Sequence, residues 1–299
     1  MYLSCRAWKK PNRYGTAMHL DGRRLALGLP AVIGTLIVIA AVAASRAGAD
    51  ASPHANTQAP AVTKTVLVVG DSVAKLFSDD FVEAAGKHGY AVVTAAHPGC
   101  PAIGFGKVYS TGVKFKRNTC SEVVRTQDAM VEKYRPALVI WWSRYEVAPR
   151  LGPDGKVLPL GSSAYWRTEQ ASLEQRARAL TARGARLVTI QIEPPGPALA
   201  VRNPSEKHFL VGQTLLHRWG VVKAWDAFLA SHRGPTVFSI SVDSLICHDA
   251  KNPCNDSLPN GETARPDGIH YSDTAQRLLA PPIFDAVWRI ARLEPATSP

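Results

Sequence analysis

With 299 residues, 46% of them hydrophobic, the chain is long enough to bury a full core in one or two domains, and its composition excludes a disordered or fibrous protein. The formal net charge of +11 is concentrated at one end: residues 1 to 24 carry six bases against Asp21 and supply +5 of it. No basic run or nucleic-acid motif follows, so the charge implies mild attraction to an anionic envelope surface and no nucleic-acid partner.

Taken in chain order, Arg6, Lys9, Lys10, Arg13, Arg23 and Arg24 precede Leu25–Ala44, 20 positions without a charge. At about 1.5 Å per residue that stretch matches the roughly 30 Å of a bilayer core. The basic flank keeps residues 1–24 cytoplasmic, so the sequence predicts a single transmembrane helix over 25–44 that inserts the chain in the membrane. Ala47-Gly48-Ala49 offers a cleaved signal sequence as the alternative, and either way the remainder is extracytoplasmic. Residues 45–64 are rich in Ala, Ser and Pro without an apolar period and read as a flexible linker. The folded domain is expected over 65–299.

Within it, β-branched and apolar runs alternate with helical spacing. Strands are predicted at Val66–Val69, Ala91–Ala95, Ala137–Trp142, Arg186–Ile192 and Pro235–Ile240. Helices are predicted at Ala74–His88, Glu122–Tyr134, Tyr165–Arg183, Glu206–Trp219 and Ser272–Arg292, the last interrupted or entered at Pro281-Pro282. Near-continuous apolar strands separated by helices imply an α/β domain, a central parallel sheet with helices on both faces. Long loops are expected at Pro98–Thr119, Leu151–Ser163 and Cys247–Pro266, and long ordered loops tend to be functional.

Four of the five cysteines, Cys100, Cys120, Cys247 and Cys254, fall in the exported part. An even number in an oxidising compartment reads as two disulfides, and sequence order suggests Cys100 with Cys120 and Cys247 with Cys254, one of three connectivities. A zinc site drawing on His97, His248 and the thiols is the rival, but no Cys-x-x-Cys pair is present. No metal or cofactor is implied.

The chemistry is carried by two short stretches. In an open parallel sheet ligands bind beyond the carboxyl ends of the strands, which is where Gly70-Asp71-Ser72 falls. A serine at the start of a helix there can attack a carbonyl while helix N–H groups receive the developing negative charge. The same serine could equally be only a helix cap. The second stretch, Arg265-Pro266-Asp267-Gly268-Ile269-His270, puts a carboxylate three residues from an imidazole across a glycine, so one turn can supply a base and its orienting acid. Together they read as a Ser72, His270, Asp267 triad.

On these residues the chain resembles the SGNH (GDSL-like) hydrolase superfamily, whose first block ends in Gly-Asp-Ser and whose last is Asp-x-x-His. It is similar above all to the SGNH domains attached to, or working beside, acyltransferase-3 membrane proteins of bacterial envelopes, in His97-Pro98-Gly99-Cys100, in Ser143-Arg144-Tyr145-Glu146 and in a paired cysteine before Arg-Pro-Asp-Gly-Ile-His. The resemblance implies a three-layer, flavodoxin-like fold, Ser72 as nucleophile, His270 as general base then acid, Asp267 as orienter, and the N–H groups of Ser72 and Gly99 as oxyanion donors. The family's third block usually reads Gly-x-Asn-Asp, and here its asparagine is missing. Arg144 or Tyr145 is the candidate replacement donor, and Tyr145 with Trp142 the candidate sugar-stacking pair.

The implied activity is that of an extracytoplasmic serine esterase or O-acyltransferase acting on acyl, in particular acetyl, esters of envelope carbohydrate. No multi-span acyltransferase part accompanies the domain, so it is expected to act alone or with a separate membrane acyltransferase. The alternative is a catalytically silent module that binds glycan or scaffolds such a partner.

Overall fold

The structure, a computed structural model, describes residues 64–104, 117–152, 154–202 and 210–293. The predicted anchor at 25–44 and, but for Lys64, the linker lie outside them. Among the described residues no helix is long and apolar enough to cross a membrane.

The chain enters through β1 (Lys64–Gly70), α1 (Ser72–Gly86), β2 (Tyr90–Thr94), α2 (Arg117–Tyr134) and β3 (Leu138–Trp142). A 3-10 turn at Tyr145–Val147 and a short antiparallel hairpin, β4 (Arg150–Leu151) with β5 (Val157–Leu158), come next. After them run α3 (Ser163–Thr181), β6 (Arg186–Ile190), α4 (Ala198–Arg202), α5 (Leu210–His217), α6 (Trp219–Ser231), β7 (Val237–Ile240), α7 (Asp243–Ile246) and α8 (Asp273–Ala291).

Five strands form one parallel sheet in the order β2-β1-β3-β6-β7, which counted within the sheet is the 2-1-3-4-5 order of flavodoxin-like folds. The strands are apolar along their length because both faces are covered: Val66 to Val69 and Leu138 to Ile140 have no solvent exposure. α1 and α8 pack together on one face, where Phe81 meets Phe284 with ring centroids 5.7 Å apart. α2, α3 and α6 cover the other.

Two helical expectations are corrected. α8 is not interrupted at Pro281-Pro282 but runs through both prolines. Each proline removes a helix N–H at a cost of about 3 kcal/mol or more, offset by a continuous buried face that includes Leu279, Ile283, Phe284 and Val287. Of the helix expected at Glu206–Trp219, residues 206–209 lie outside the described residues; the rest is α5, which ends at His217, and a separate helix, α6, starts at Trp219 in a stretch that sequence periodicity left unassigned. Gly220 and the β-branched Val221-Val222 depress helix propensity there, and burial of Val222, Trp225 and Leu229 overrides it.

Candidate active site

The first strand ends at a close approach to β3. Gly70 has φ +143°, and a Cβ on it would stand 1.8 Å from the carbonyl oxygen of Trp142 on β3, so only glycine allows the chain to leave the sheet and enter α1 at once. Asp71, not Ser72, is the N-cap: its Oδ1 accepts the Val73 N–H at 2.8 Å. Its Oδ2 accepts the Arg144 N–H at 2.6 Å and the Ser143 hydroxyl at 3.4 Å. Burial pushes the Asp71 carboxyl up from its ordinary value, against the opposing charge of Arg144. With the cap supplied by its neighbour, the Ser72 hydroxyl turns to His270, and Oγ lies 2.8 Å from His270 Nε2.

His270 reaches back from the turn before α8. Its Nδ1 is 2.7 Å from Asp267 Oδ2, while Asp267 Oδ1 accepts the N–H groups of Ile269 at 2.9 Å and His270 at 2.6 Å. Gly268 closes the turn at φ +82°, where a Cβ would come within 2.2 Å of the Leu199 nitrogen on α4. Burial opposes ionisation of Asp267, but the bonds from His270 and the two backbone N–H groups outweigh it and hold the carboxyl well below the usual carboxylate range. An ionised Asp267 keeps the proton on Nδ1, so Nε2 presents its lone pair to the Ser72 hydroxyl.

The loop after β2 stands beside Ser72. The His97 N–H donates to the Gly70 carbonyl at 2.9 Å, and Gly99, at φ +77°, follows two residues later. Buried Glu146 fixes this loop from below: its Oε1 accepts from Ala102 N (2.8 Å), Ile103 N (3.4 Å) and Trp141 Nε1 (2.9 Å). The sulfurs of Cys100 and Cys120 lie at bonding distance, with Cα atoms 5.4 Å apart, as do those of Cys247 and Cys254, at 5.6 Å. Among the described residues no cluster of His, Cys, Asp and Glu is placed to hold a metal ion.

Two residues expected at the substrate face inward instead. The Arg144 guanidinium has almost no solvent exposure. It donates from Nη1 to the Ile269 carbonyl at 3.0 Å and from Nη2 to Glu193, so it is not presented to a substrate oxygen and is not an oxyanion donor. Trp142 is fully buried, its indole N–H aimed at Glu193 Oε2 at 3.4 Å and its ring 4.7 Å from that of Phe77, so it stacks in the core and not on a sugar. Tyr145 alone of the third block stays half-buried. Burial, with the nearby charge of Asp71, pushes its phenol up to about 12, so it keeps its proton as a donor.

Sequence reasoning missed the acids behind the site. Glu193 follows β6 and accepts from Arg144, Trp142 and Tyr271, the last at 2.5 Å. Burial alone would raise its carboxyl, but Arg144 and Arg265 hold it below its ordinary value. Arg265, also dry, donates from Nε to Asp256 at 2.8 Å and from Nη1 to the Pro194 carbonyl at 2.5 Å. Single acids inside an apolar or loop context, such as Ile192-Glu193-Pro194, were the only signal available.

The family described as the SGNH domain fused to AT3 domains matches residues 42–285. The chain belongs to this SGNH family. It is therefore an SGNH-type hydrolase or acyltransferase. Among solved structures, the periplasmic domain of the lipopolysaccharide acetyltransferase of Salmonella ser. Paratyphi A aligns at 10% identity over 75% of this chain and 83% of its own, with a TM-score of 0.48. A GDSL-like lipase from Bacteroides thetaiotaomicron aligns at 12% identity over 76% and 89%, with a TM-score of 0.47. No curated protein matches the sequence.

Proposed function

We propose that this SGNH protein is a membrane-anchored, extracytoplasmic serine esterase or O-acyltransferase that cleaves or transfers acyl, in particular acetyl, esters of envelope carbohydrate. The observation that carries the reading is the 2.8 Å approach of Ser72 Oγ to His270 Nε2 with Asp267 on the other ring nitrogen. In this reading Ser72 Oγ bonds to the ester carbonyl carbon as its proton passes to Nε2. The N–H groups of Ser72 and Gly99, with the Tyr145 hydroxyl in place of the absent asparagine amide, receive the oxyanion.

Collapse expels the alcohol, which leaves with the proton from His270. Water or a glycan hydroxyl then gives its own proton to His270 as its oxygen attacks the acyl-enzyme, and Ser72 recovers its hydrogen when the product departs. Hydrolysis and transfer use the same residues and differ in whether water or an acceptor is admitted. In the extracytoplasmic setting the donor of the acyl group is a small acyl ester or a membrane acyltransferase of the kind to which the family's domains are fused.

The test is to supply the full-length protein with an activated acetyl ester, with and without a glycan acceptor, alongside Ser72→Ala. Ser72-dependent release or capture of acetate supports the reading, and acceptor capture in preference to water assigns transfer. Absence of any Ser72-dependent turnover under both conditions sinks it.

A further inference from the structure

His270 is bracketed by one buried ion pair. Arg144 Nη1 donates to the carbonyl of Ile269 at 3.0 Å and Arg144 Nη2 to Glu193 Oε1, while that same carboxylate oxygen accepts the Tyr271 hydroxyl at 2.5 Å. Ile269 and Tyr271 are the chain neighbours of His270, so the residues on either side of the imidazole are referenced to the same two charges. The backbone N–H of Arg144 in turn donates to Asp71 Oδ2 at 2.6 Å, and Asp71 caps the helix that begins with Ser72. A path of bonded residues therefore runs from Ser72 through Asp71, Arg144 and Ile269 to His270, separate from the direct contact between the two side chains.

We infer that the Arg144–Glu193 pair is a positioning element that sets the reach of His270 to Ser72 from behind, without touching substrate. Both side chains are essentially dry, at 2% and 0% exposure, whereas the side chains of His270 and Asp267 are 44% and 31% exposed and compete with water for their own bond. A buried ion pair adds little stability over apolar side chains of equal volume. What it adds is direction: a guanidinium holds several N–H groups in one rigid plane, so one side chain can grip a carbonyl and a carboxylate together, which a lysine ammonium on a flexible stem does not reproduce. The phenol of Tyr271 completes the clamp, with Arg144 and Arg265 5.6 and 5.5 Å from its ring centroid.

The inference rests on the acyl-enzyme reading for its kinetic readout and is given a second readout that does not. In the full-length protein, Arg144→Lys is expected to lower kcat for an aryl acetate about 10²-fold, the effect of a misplacement near 1 Å, with KM held within about twofold because no substrate contact is lost. Arg144→Met combined with Glu193→Gln removes both charges at similar volume. It is expected to melt near the parent yet keep the low kcat, whereas a merely structural pair would recover activity along with stability. Tyr271→Phe leaves the ring packing in place and is expected to lower kcat by about 3- to 10-fold, again without moving KM.

Independently of turnover, the proton between Asp267 and His270 Nδ1 should give a downfield NMR signal in the parent and in Ser72→Ala. Exchange with water should broaden it in Arg144→Lys and Tyr271→Phe. The inference is overturned if Tyr271→Phe, and whichever Arg144 variant folds, keeps both that signal and a kcat within about twofold of the parent. A parent without Ser72-dependent turnover sinks the acyl-enzyme reading instead, and the NMR signal still decides the positioning.

Discussion

Two layers of polar groups stand one behind the other at the carboxyl ends of the strands, and they are held by different physics. The front layer, Ser72, His270 and Asp267, is half-exposed and joined by single bonds of 2.7 to 2.8 Å. The back layer, Arg144, Glu193, Arg265 and Asp256, is dry and multiply bonded, each acid facing a guanidinium. A group that must meet substrate and exchange protons cannot be sealed from water, and a group exposed to water cannot rely on one hydrogen bond for its position. The division suggests that reactivity and geometry are assigned to separate residues.

The largest expected effects test that separation. Ser72→Ala and His270→Ala should each lower ester turnover by about 10⁴-fold or more, and Asp267→Asn by about 10⁴-fold through loss of the correct tautomer, the scale known for serine triads. Ser72→Ala removes one half-exposed hydroxyl, so its melting temperature should stay within about 2 °C of the parent. Asp256→Ala should do the reverse. It takes the nearer of two carboxylates from the dry Arg265 guanidinium, leaving Glu193 at 4.0 Å, and should cost about 3–5 kcal/mol by urea denaturation. A stable Asp256→Ala protein would mean that water reaches Arg265 and that this part of the back layer is not dry.

How much of this could be read from the chain follows the same division. Gly70-Asp71-Ser72 and Asp267-x-x-His270 were legible because their partners are local or the chemistry demands those residue types at a strand end. Glu193 was not: its partners Arg144 and Tyr271 are 49 and 78 residues away, and a lone acid after an apolar strand has no spacing to mark it. Trp142 was placed on the right strand but on the wrong side, because a strand buried on both faces carries no alternation to say which way a side chain points; Arg144 was placed in the right loop, but it turns inward toward Glu193, 49 residues away. The parallel sheet was legible from its apolar runs. α6 was not, since its burial comes from tertiary packing that outweighs local propensity.

The seam between the layers is Gly268. Its φ of +82° and the 2.2 Å a Cβ would leave to the Leu199 nitrogen tie the turn holding Asp267 and His270 to α4. Gly268→Ala should therefore lose about 2–3 kcal/mol of stability to backbone strain and displaced packing. It should also lose more activity than that stability predicts, about 10²-fold in kcat, because the imbalance falls on the imidazole. An equal loss of stability with parental kcat would show that the turn tolerates movement and that the layers are less tightly geared than their bonds suggest.

Asp226 sharpens the comparison from the other side, as an acid that is largely covered yet faces no cation among the described residues. It accepts the Ile192 N–H at 2.9 Å. Burial pushes its carboxyl up to about 8, against that bond, with the charges of Asp243 and Glu193 adding to the rise. The folded protein thus keeps a proton here that the unfolded chain releases near 3.8. The contribution of this group is complete below that value and is lost as pH rises through about 8. Asn at 226 has no proton to lose and can still accept from Ile192. Asp226→Asn should therefore match the parent at pH 4, gain on it as pH rises toward 8, and then hold a constant lead on the order of 5 kcal/mol. A difference that is flat from pH 4 to 9 would show that water reaches Asp226 freely. Burial without a counter-charge would then have no energetic consequence beside β6, and the cost that makes Glu193 depend on Arg144 and Arg265 would have to be sought in geometry alone.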